Sequence, residues 1–403
     1  MPLYDKIKVS VYLRKEDNRL DLIASIKLKI TLLLPSFVIT SYTSLSVATV
    51  ELENAYPTIP TSLVDSIVTL PSITILIAIF LSMYISRFLS VKSLMLIGLA
   101  LVGIGGIAPL FIENFWFLYS CRLVLGFGIG LFKPFAVSEI SNFYQGKELS
   151  KMMGYQSATQ KLGIITFLLL SGLLVSYQWS YVFIPYLVAF PILLFIAYNF
   201  QTAPTPQKSS SSALSKTGFS SIILLTLVTI FLVAVVLGNF YSKIAPLLSE
   251  KGYHDFANTL GIGLALLNFF ALVGSLHFGR LYIKLKLWLP IGSVLIMALA
   301  FFLVAILDQL ILIVLLMPII GYAAGIVSPW TYTFILESVP KANGTFFISL
   351  ALISLNLGSF VAPFIFTTFI PLSITMLFFA CSALLLVIAC YLYFFVKSLS
   401  AHI

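Results

Sequence analysis

Three cations, Arg122, Lys133 and Lys161, stand inside apolar stretches of this 403-residue chain. An ionisable group at the centre of a bilayer costs about 2.5–3.5 kcal/mol on insertion scales, so such residues are expected to face a water-filled cavity, a ligand or a counter-charge. Arg122 falls near the outer end of the fourth apolar stretch, Lys133 three turns deeper, and Lys161 near the middle of the fifth. Arg122 has two readings: it tunes the proton affinity of a carboxylate, or it locks its helix to a neighbour through backbone carbonyls. Asp65 is the best-placed carboxylate, and equally a helix-start cap. Glu139, six residues after Lys133, is a third coupling candidate or a boundary charge. Lys133 could snorkel to a water interface, a reading that suits the deeper Lys161 poorly. Without carboxylate partners, the two lysines would give a cavity a positive potential that favours anionic or electron-rich ligands. Tyr42, Phe135, Asn239, Trp330, Tyr332 and Asn356 are candidates for the rest of its lining, with helix packing as the alternative for each aromatic residue.

Other chemistries find little support. The histidines, His254, His277 and His402, lack metal-ligand spacing, and no nucleophile–base set accompanies them. No metal and no cofactor is expected, and an enzyme embedded in the membrane is a remote alternative. Cys121, Cys381 and Cys390 lie in apolar runs and read as buried thiols that fill helix packing. Gly126, Gly128 and Gly130 do not form a nucleotide loop, because no strand precedes them.

The elements that must position these residues are dictated by composition. The chain is 60% hydrophobic and 9% charged, with a mean hydropathy of +1.08. Soluble domains carry roughly 25% charged residues. A water-soluble chain of this size could not hide so much apolar surface. Lipid is therefore the expected solvent, and about 20 apolar residues are needed to cross it as a helix. Twelve stretches qualify: 27–49, 64–86, 92–112, 115–140, 152–176, 180–200, 219–242, 256–281, 288–307, 310–335, 344–368 and 373–397. Helices are the expected form, since lipid offers the backbone no hydrogen-bond partner and no alternating barrel pattern is present.

The formal charge of +9 does not require a nucleic-acid partner. Of the 23 Lys and Arg residues, 18 fall on one side of the predicted membrane, two on the other (Lys243 and Lys251) and three within spans. Basic loops face the cytoplasm, so both termini are expected inside a plasma membrane. Residues 1–26 read as a cytoplasmic tail with no cleaved signal. Residues 201–218, rich in Ser, Pro and Lys, read as a flexible linker between bundles at 27–200 and 219–398.

The two bundles repeat. Gly126, Phe127, Gly130, Pro134 and Phe135 match Gly321, Tyr322, Gly325, Pro329 and Trp330 at a shift of 195 residues, and Leu162–Gly163 matches Leu357–Gly358 at the same shift. Small residues allow helix backbones to approach closely. Pro134 and Pro329 are expected to bend their helices. Parallel six-helix repeats of this kind occur in transporters that rock about a central site.

Twelve spans, a half-way linker and these motifs resemble the major facilitator superfamily over the whole chain from about residue 27. The most specific match is Arg122 with Gly126, Gly128 and Gly130, similar to a pattern of proton-coupled members, although Leu125 replaces the usual Gln. The loop after the second span keeps Arg87 and Lys92 without the family's acidic partner. Its counterpart, Gly279-Arg280 with Lys284 and Lys286, is nearer the pattern. The stretch from Phe143 to Gly172, with Met153-Gly154 and the later Trp179, is similar to bacterial drug-efflux members, but the antiporter Gly-Pro motif is replaced by Phe167-Leu168. The resemblance implies an all-α fold of twelve helices in two pseudo-repeats and a monomeric secondary transporter. It would move a small molecule by alternating access, with protons as the coupling partner. Efflux of hydrophobic or amphipathic compounds leads, and uptake or exchange of a small organic anion is the alternative. Gly126, Gly130, Pro134, Gly163, Gly325, Pro329, Gly358, Arg87 and Arg280 are then the expected gating positions.

Overall fold

The computed structural model describes residues 26–200, 221–253, 257–368 and 373–400; the expected tail and linker lie outside them. Among the described residues, twelve elements are long and apolar enough to cross a membrane: α1 (Ile26–Ala48), α2 (Ser66–Ile85), α3 (Val91–Leu110), α4 (Phe115–Phe143), α5 (Gly146–Val175), α6 (Trp179–Asn199), α7 (Ile223–Glu250), α8 (Thr259–Leu285), α9 (Trp288–Ile306), α10 (Leu310–Ser338), α11 (Lys341–Ala362) and α12 (Ile374–Phe394). We call the face on which α1 begins and α12 ends the terminal face, and the opposite one the distal face.

Three elements depart most from the expected outlines; one of them, α5, begins at Gly146, six residues before the expected start at 152. From Leu34 to Ala48 most of α1 winds as tighter 3₁₀ turns, and a short helix, Thr49–Ala55, follows. Pro35 and a run of hydroxyl side chains explain this, because such groups compete for backbone partners; the Thr43 hydroxyl donates to the Thr40 carbonyl at 2.9 Å. Helix α7 continues to Glu250, past the expected end at 242. The extra turns carry Lys243, Ser249 and Glu250, which suit a helix end emerging into water. There Lys251 bonds the Ala305 carbonyl at 3.0 Å, the Leu307 carbonyl at 2.7 Å and Asp308 at 3.0 Å, and the Tyr253 hydroxyl bonds the Asp308 carbonyl. One of the two distal basic residues is thus a clamp on the end of α9.

The repeat is visible in the packing. Helices α2 and α3 lie along α4, as α8 and α9 lie along α10, while α1 packs on α5 as α7 packs on α11. A Cβ at Gly126 or Gly130 of α4 would strike the backbone at Pro71 or Ile75 of α2. The same atom at Gly321 or Gly325 of α10 would strike Leu267 or Ala271 of α8. Gly163 stands on the Phe37 carbonyl, and Gly358 on the Phe231 carbonyl. Helices α2 and α8 therefore correspond at a shift of 196 residues, close to the 195 of the other matches. Glycine is required at these positions because the neighbouring carbonyl occupies the side-chain volume.

The halves join at the terminal face. One continuous core runs from the N-terminal half into Phe278, Trp330, Phe334 and Phe347, which belong to the terminal-face parts of α8, α10 and α11. A second core fills only the C-terminal half, around Phe240, Phe301 and Phe378. Hydrogen bonds cross between the halves at Ser138–Thr345, 2.9 Å, and at Ser157–Ser275, 3.0 Å. A Cβ at Gly154 would meet the Ser275 carbonyl, and one at Gly279 would meet Lys151 Cα. Cys121 and Cys381 are buried as expected, but Cys390 is exposed. It lies on the outward side of α12, where lipid rather than protein can cover an apolar side chain.

Candidate functional site

Arg122 is 1% exposed. Its Nη1 donates to the Tyr186 hydroxyl of α6 at 3.0 Å, and the guanidinium lies 5.2 Å from the Phe183 ring centre and 5.6 Å from that of Tyr186. The Tyr186 hydroxyl donates onward to the Ser41 carbonyl at 2.8 Å and lies 3.3 Å from Ser44 Oγ. Among the described residues, Arg122 Nε and Nη2 have no hydrogen-bond partner. The cation is held by aromatic faces and one phenol, an arrangement strengthened where water is excluded. It ties α4 through α6 to α1 by way of a phenol, not by the direct bonds to backbone carbonyls that the locking reading expected. Asp65 is the fifth residue of a helix that runs Thr61–Ile85 with Pro60 at its N-cap, so it is not the helix-start cap; its side chain lies outside the described residues. Tyr186 is the partner that sequence reasoning missed, because no spacing rule links residues on different helices.

Lys133 is 4% exposed and belongs to a stretch of α4, Gly128 to Ser141, in which every residue is buried. The same holds for Pro329 to Leu336 of α10. A helix buried on all sides is enclosed by protein. These two stretches therefore form the closed seal at the terminal face. Lys133 precedes the end of α4 by ten residues, roughly 15 Å at 1.5 Å per residue. Lys161 follows the start of α5 by fifteen residues, roughly 22 Å. It is half-buried. Among the described residues neither lysine has an ion pair or a hydrogen bond. Glu139 does not pair with Lys133; it accepts from Asn142 Nδ2 at 3.1 Å, one turn on in its own chain segment. Helix α4 is broken at Glu139, five residues after Pro134; a proline disturbs the turn that precedes it, so this break is not the bend expected from Pro134, and Pro329 too lies within a continuous helix.

The positions matching Lys133 and Lys161 in the other repeat are Ser328 and Asn356. Asn356 is half-buried and donates to the Leu352 carbonyl at 2.6 Å. Among the described residues, Lys133 and Lys161 thus have no charged counterpart at the matching positions of the C-terminal half. Phe135, Trp330 and Tyr332 are packed in the seal, with Trp330 stacked on Phe334 at 5.1 Å and 10°. Tyr42 is half-buried against the core. Asn239 is buried and donates to the Val235 carbonyl at 3.0 Å, which leaves its Oδ1 without a partner. Trp330 Nε1, Thr333 Oγ1 and Gln156 Oε1 are buried and, among the described residues, unpartnered as well. Gln156 and Thr333 were not singled out by sequence; a polar side chain in an otherwise apolar span was the available signal. Arg87 and Arg280 are exposed at the terminal face, and Arg87 lies 5.8 Å from the ring centre of Tyr84.

A family model described as Major Facilitator Superfamily matches residues 28–363, and the chain belongs to that family. Among solved structures, it is similar to the proton:xylose symporter XylE bound to 6-bromo-6-deoxy-D-glucose, at 14% identity and a TM-score of 0.79 over 92% of this chain and 95% of that one. It is also similar to the human organic anion transporter MFSD10 (TETRAN), at 13% identity and a TM-score of 0.75 over 91% of this chain and 99% of that one. At such identities the likeness is one of fold. No curated protein matches the sequence. The chain is a multi-pass membrane protein of the transporter fold.

Proposed function

We propose that this protein is a secondary transporter that moves a small organic anion by alternating access. The observation that carries the reading is the pair of unpaired lysines, Lys133 and Lys161, at mid-membrane depth in one half. A buried cation without a carboxylate is costly, and a substrate carboxylate would supply the missing charge. The unpartnered polar atoms of Trp330, Thr333, Asn239 and Gln156 offer further contacts once the halves move. The similarity to an organic anion transporter is in keeping with this reading. Proton coupling is the second part of the proposal, in line with the proton:xylose symporter among its structural relatives. The 18-to-2 distribution of Lys and Arg supports both termini in the cytoplasm.

Efflux of hydrophobic compounds, the leading expectation from the sequence, keeps one supporting observation, the aromatic seal of Phe135, Trp330, Tyr332 and Phe334. A thermal-shift screen of the purified protein against organic anions, sugars and lipophilic cations separates the readings. Anions are expected to stabilise it, and stabilisation by lipophilic cations alone would replace the anion reading with efflux.

A further inference from the structure

Between α5 and α8, near the terminal face, lies a crevice of about 430 Å³ lined by Lys151, Tyr155, Leu276, His277, Gly279 and Arg280. Its walls are two regular faces. On α5, Lys151 and Tyr155 stand four residues apart; on α8, His277 and Arg280 stand three apart; Lys147 and Lys284 lie one turn further toward the helix ends, outside the lining. Lys147, Lys151, Arg280 and Lys284 stand within about 8 Å of the helix ends, at the depth of the membrane–water boundary. Deeper in, Tyr155 is 42% exposed and Leu276 45% exposed, toward the surface that lipid covers. The crevice is therefore cationic at its mouth and apolar toward the bilayer. Glu148, paired with Lys151 at 2.7 Å, is the acidic group beside it, and both partners of that pair are exposed. His277 Nδ1 lies 3.3 Å from the Tyr322 hydroxyl.

The repeat supplies an internal control. The equivalent groove between α11 and α2 has Ala342, Phe346 and Leu350 where α5 has Lys147, Lys151 and Tyr155. It has Leu81, Tyr84 and Phe88 where α8 has His277, Arg280 and Lys284. At the matched positions the α5–α8 crevice carries Lys151 and Arg280 where its twin carries Phe346 and Tyr84, with Arg87 and Lys341 at the twin's edge, so the charges inside the crevice are not a requirement shared by both grooves.

We propose that the α5–α8 crevice binds the phosphate headgroup of an anionic phospholipid, with the acyl chains running past Tyr155 and Leu276. Basic pockets between membrane helices take such headgroups. Both halves contribute cations, and at this seam Gly279 rests against Lys151, so the lipid bridges the halves while the terminal face is closed. It follows that the bound lipid favours the closed seal.

Native mass spectrometry of the delipidated protein, titrated with phosphatidylglycerol in a neutral detergent, tests the site. The wild type is expected to retain one tightly held lipid, with at least tenfold weaker retention in Lys151→Gln/Arg280→Gln. Arg280→Lys, which keeps the charge, and Lys341→Gln, which removes a charge on the same face from the other groove, are expected to stay within threefold of wild type. Equal lipid retention in the double variant would overturn the proposal, as would equal loss in Lys341→Gln. Inorganic phosphate distinguishes the sources. Millimolar phosphate is expected to leave the lipid bound, and its competitive displacement would make the crevice a site for free anions instead.

Discussion

Replacing Tyr186 with Phe is the sharpest available test of how Arg122 is tolerated inside the membrane. The ring stays, and with it the close contact with Gly106 and the aromatic face toward the guanidinium. What is lost is one oxygen that accepts from Arg122 at 3.0 Å and donates to the Ser41 carbonyl at 2.8 Å. Hydrogen bonds between membrane helices average about 0.6 kcal/mol and reach about 1.7 kcal/mol. Bonds to charged groups in proteins contribute about 1.5–3 kcal/mol, and a buried group left without a partner adds its own desolvation cost. Arg122 belongs at the upper end, because Nε and Nη2 are already unpartnered and the phenol is its one hydrogen bond among the described residues. Tyr186→Phe is therefore expected to destabilise the protein by about 2–3 kcal/mol. Ser44→Ala, which touches the same hydroxyl at 3.3 Å, is expected to cost under about 1 kcal/mol. Reversible unfolding in mixed micelles measures both. A loss below about 0.5 kcal/mol for Tyr186→Phe would refute the claim that this phenol holds the cation and would direct the search for its partner to Asp65.

Other outcomes follow from the same geometry. Lys133→Met removes a buried cation that has no partner, so it is expected to raise stability by about 1–3 kcal/mol in unfolding assays while lowering anion transport. Gly163→Ala and Gly358→Ala place a methyl group on the carbonyls of Phe37 and Phe231, and each is expected to destabilise by about 1–3 kcal/mol; a tolerated change at either would contradict the equivalence of the two contacts. Cysteines replacing Ser157 and Ser275, whose hydroxyl oxygens stand 3.0 Å apart, are expected to cross-link on mild oxidation and to stop turnover until reduced; full transport by the cross-linked protein would contradict the α5–α8 seam as part of the moving seal.

Much of the architecture was legible in the sequence because lipid imposes a simple rule, a long apolar run for each crossing. The repeat was legible too, since Gly126, Gly130 and Gly163 recur with their partners wherever a carbonyl leaves no room for a side chain. The 3₁₀ winding of α1 was hidden, because hydropathy does not register how Ser and Thr hydroxyls bond locally. The extension of α7 to Glu250 was hidden for a related reason: a helix continues into water after its apolar run has ended. At the site, the three cations were identifiable from their cost in lipid, but their surroundings were not. Arg122 meets Tyr186, 64 residues away, and Lys133 is enclosed by a seal built from both halves. Such contacts depend on which faces the helices turn toward one another, and spacing along one chain does not encode them.

Transport by the purified protein in liposomes tests the central claim most directly. Counterflow of a panel of radiolabelled organic anions, sugars and lipophilic cations should show accumulation of at least one anion by the wild type, with a strong loss in Lys161→Met and in Lys133→Met. Accumulation confined to sugars or lipophilic cations, or anion counterflow unchanged in both variants, would contradict it.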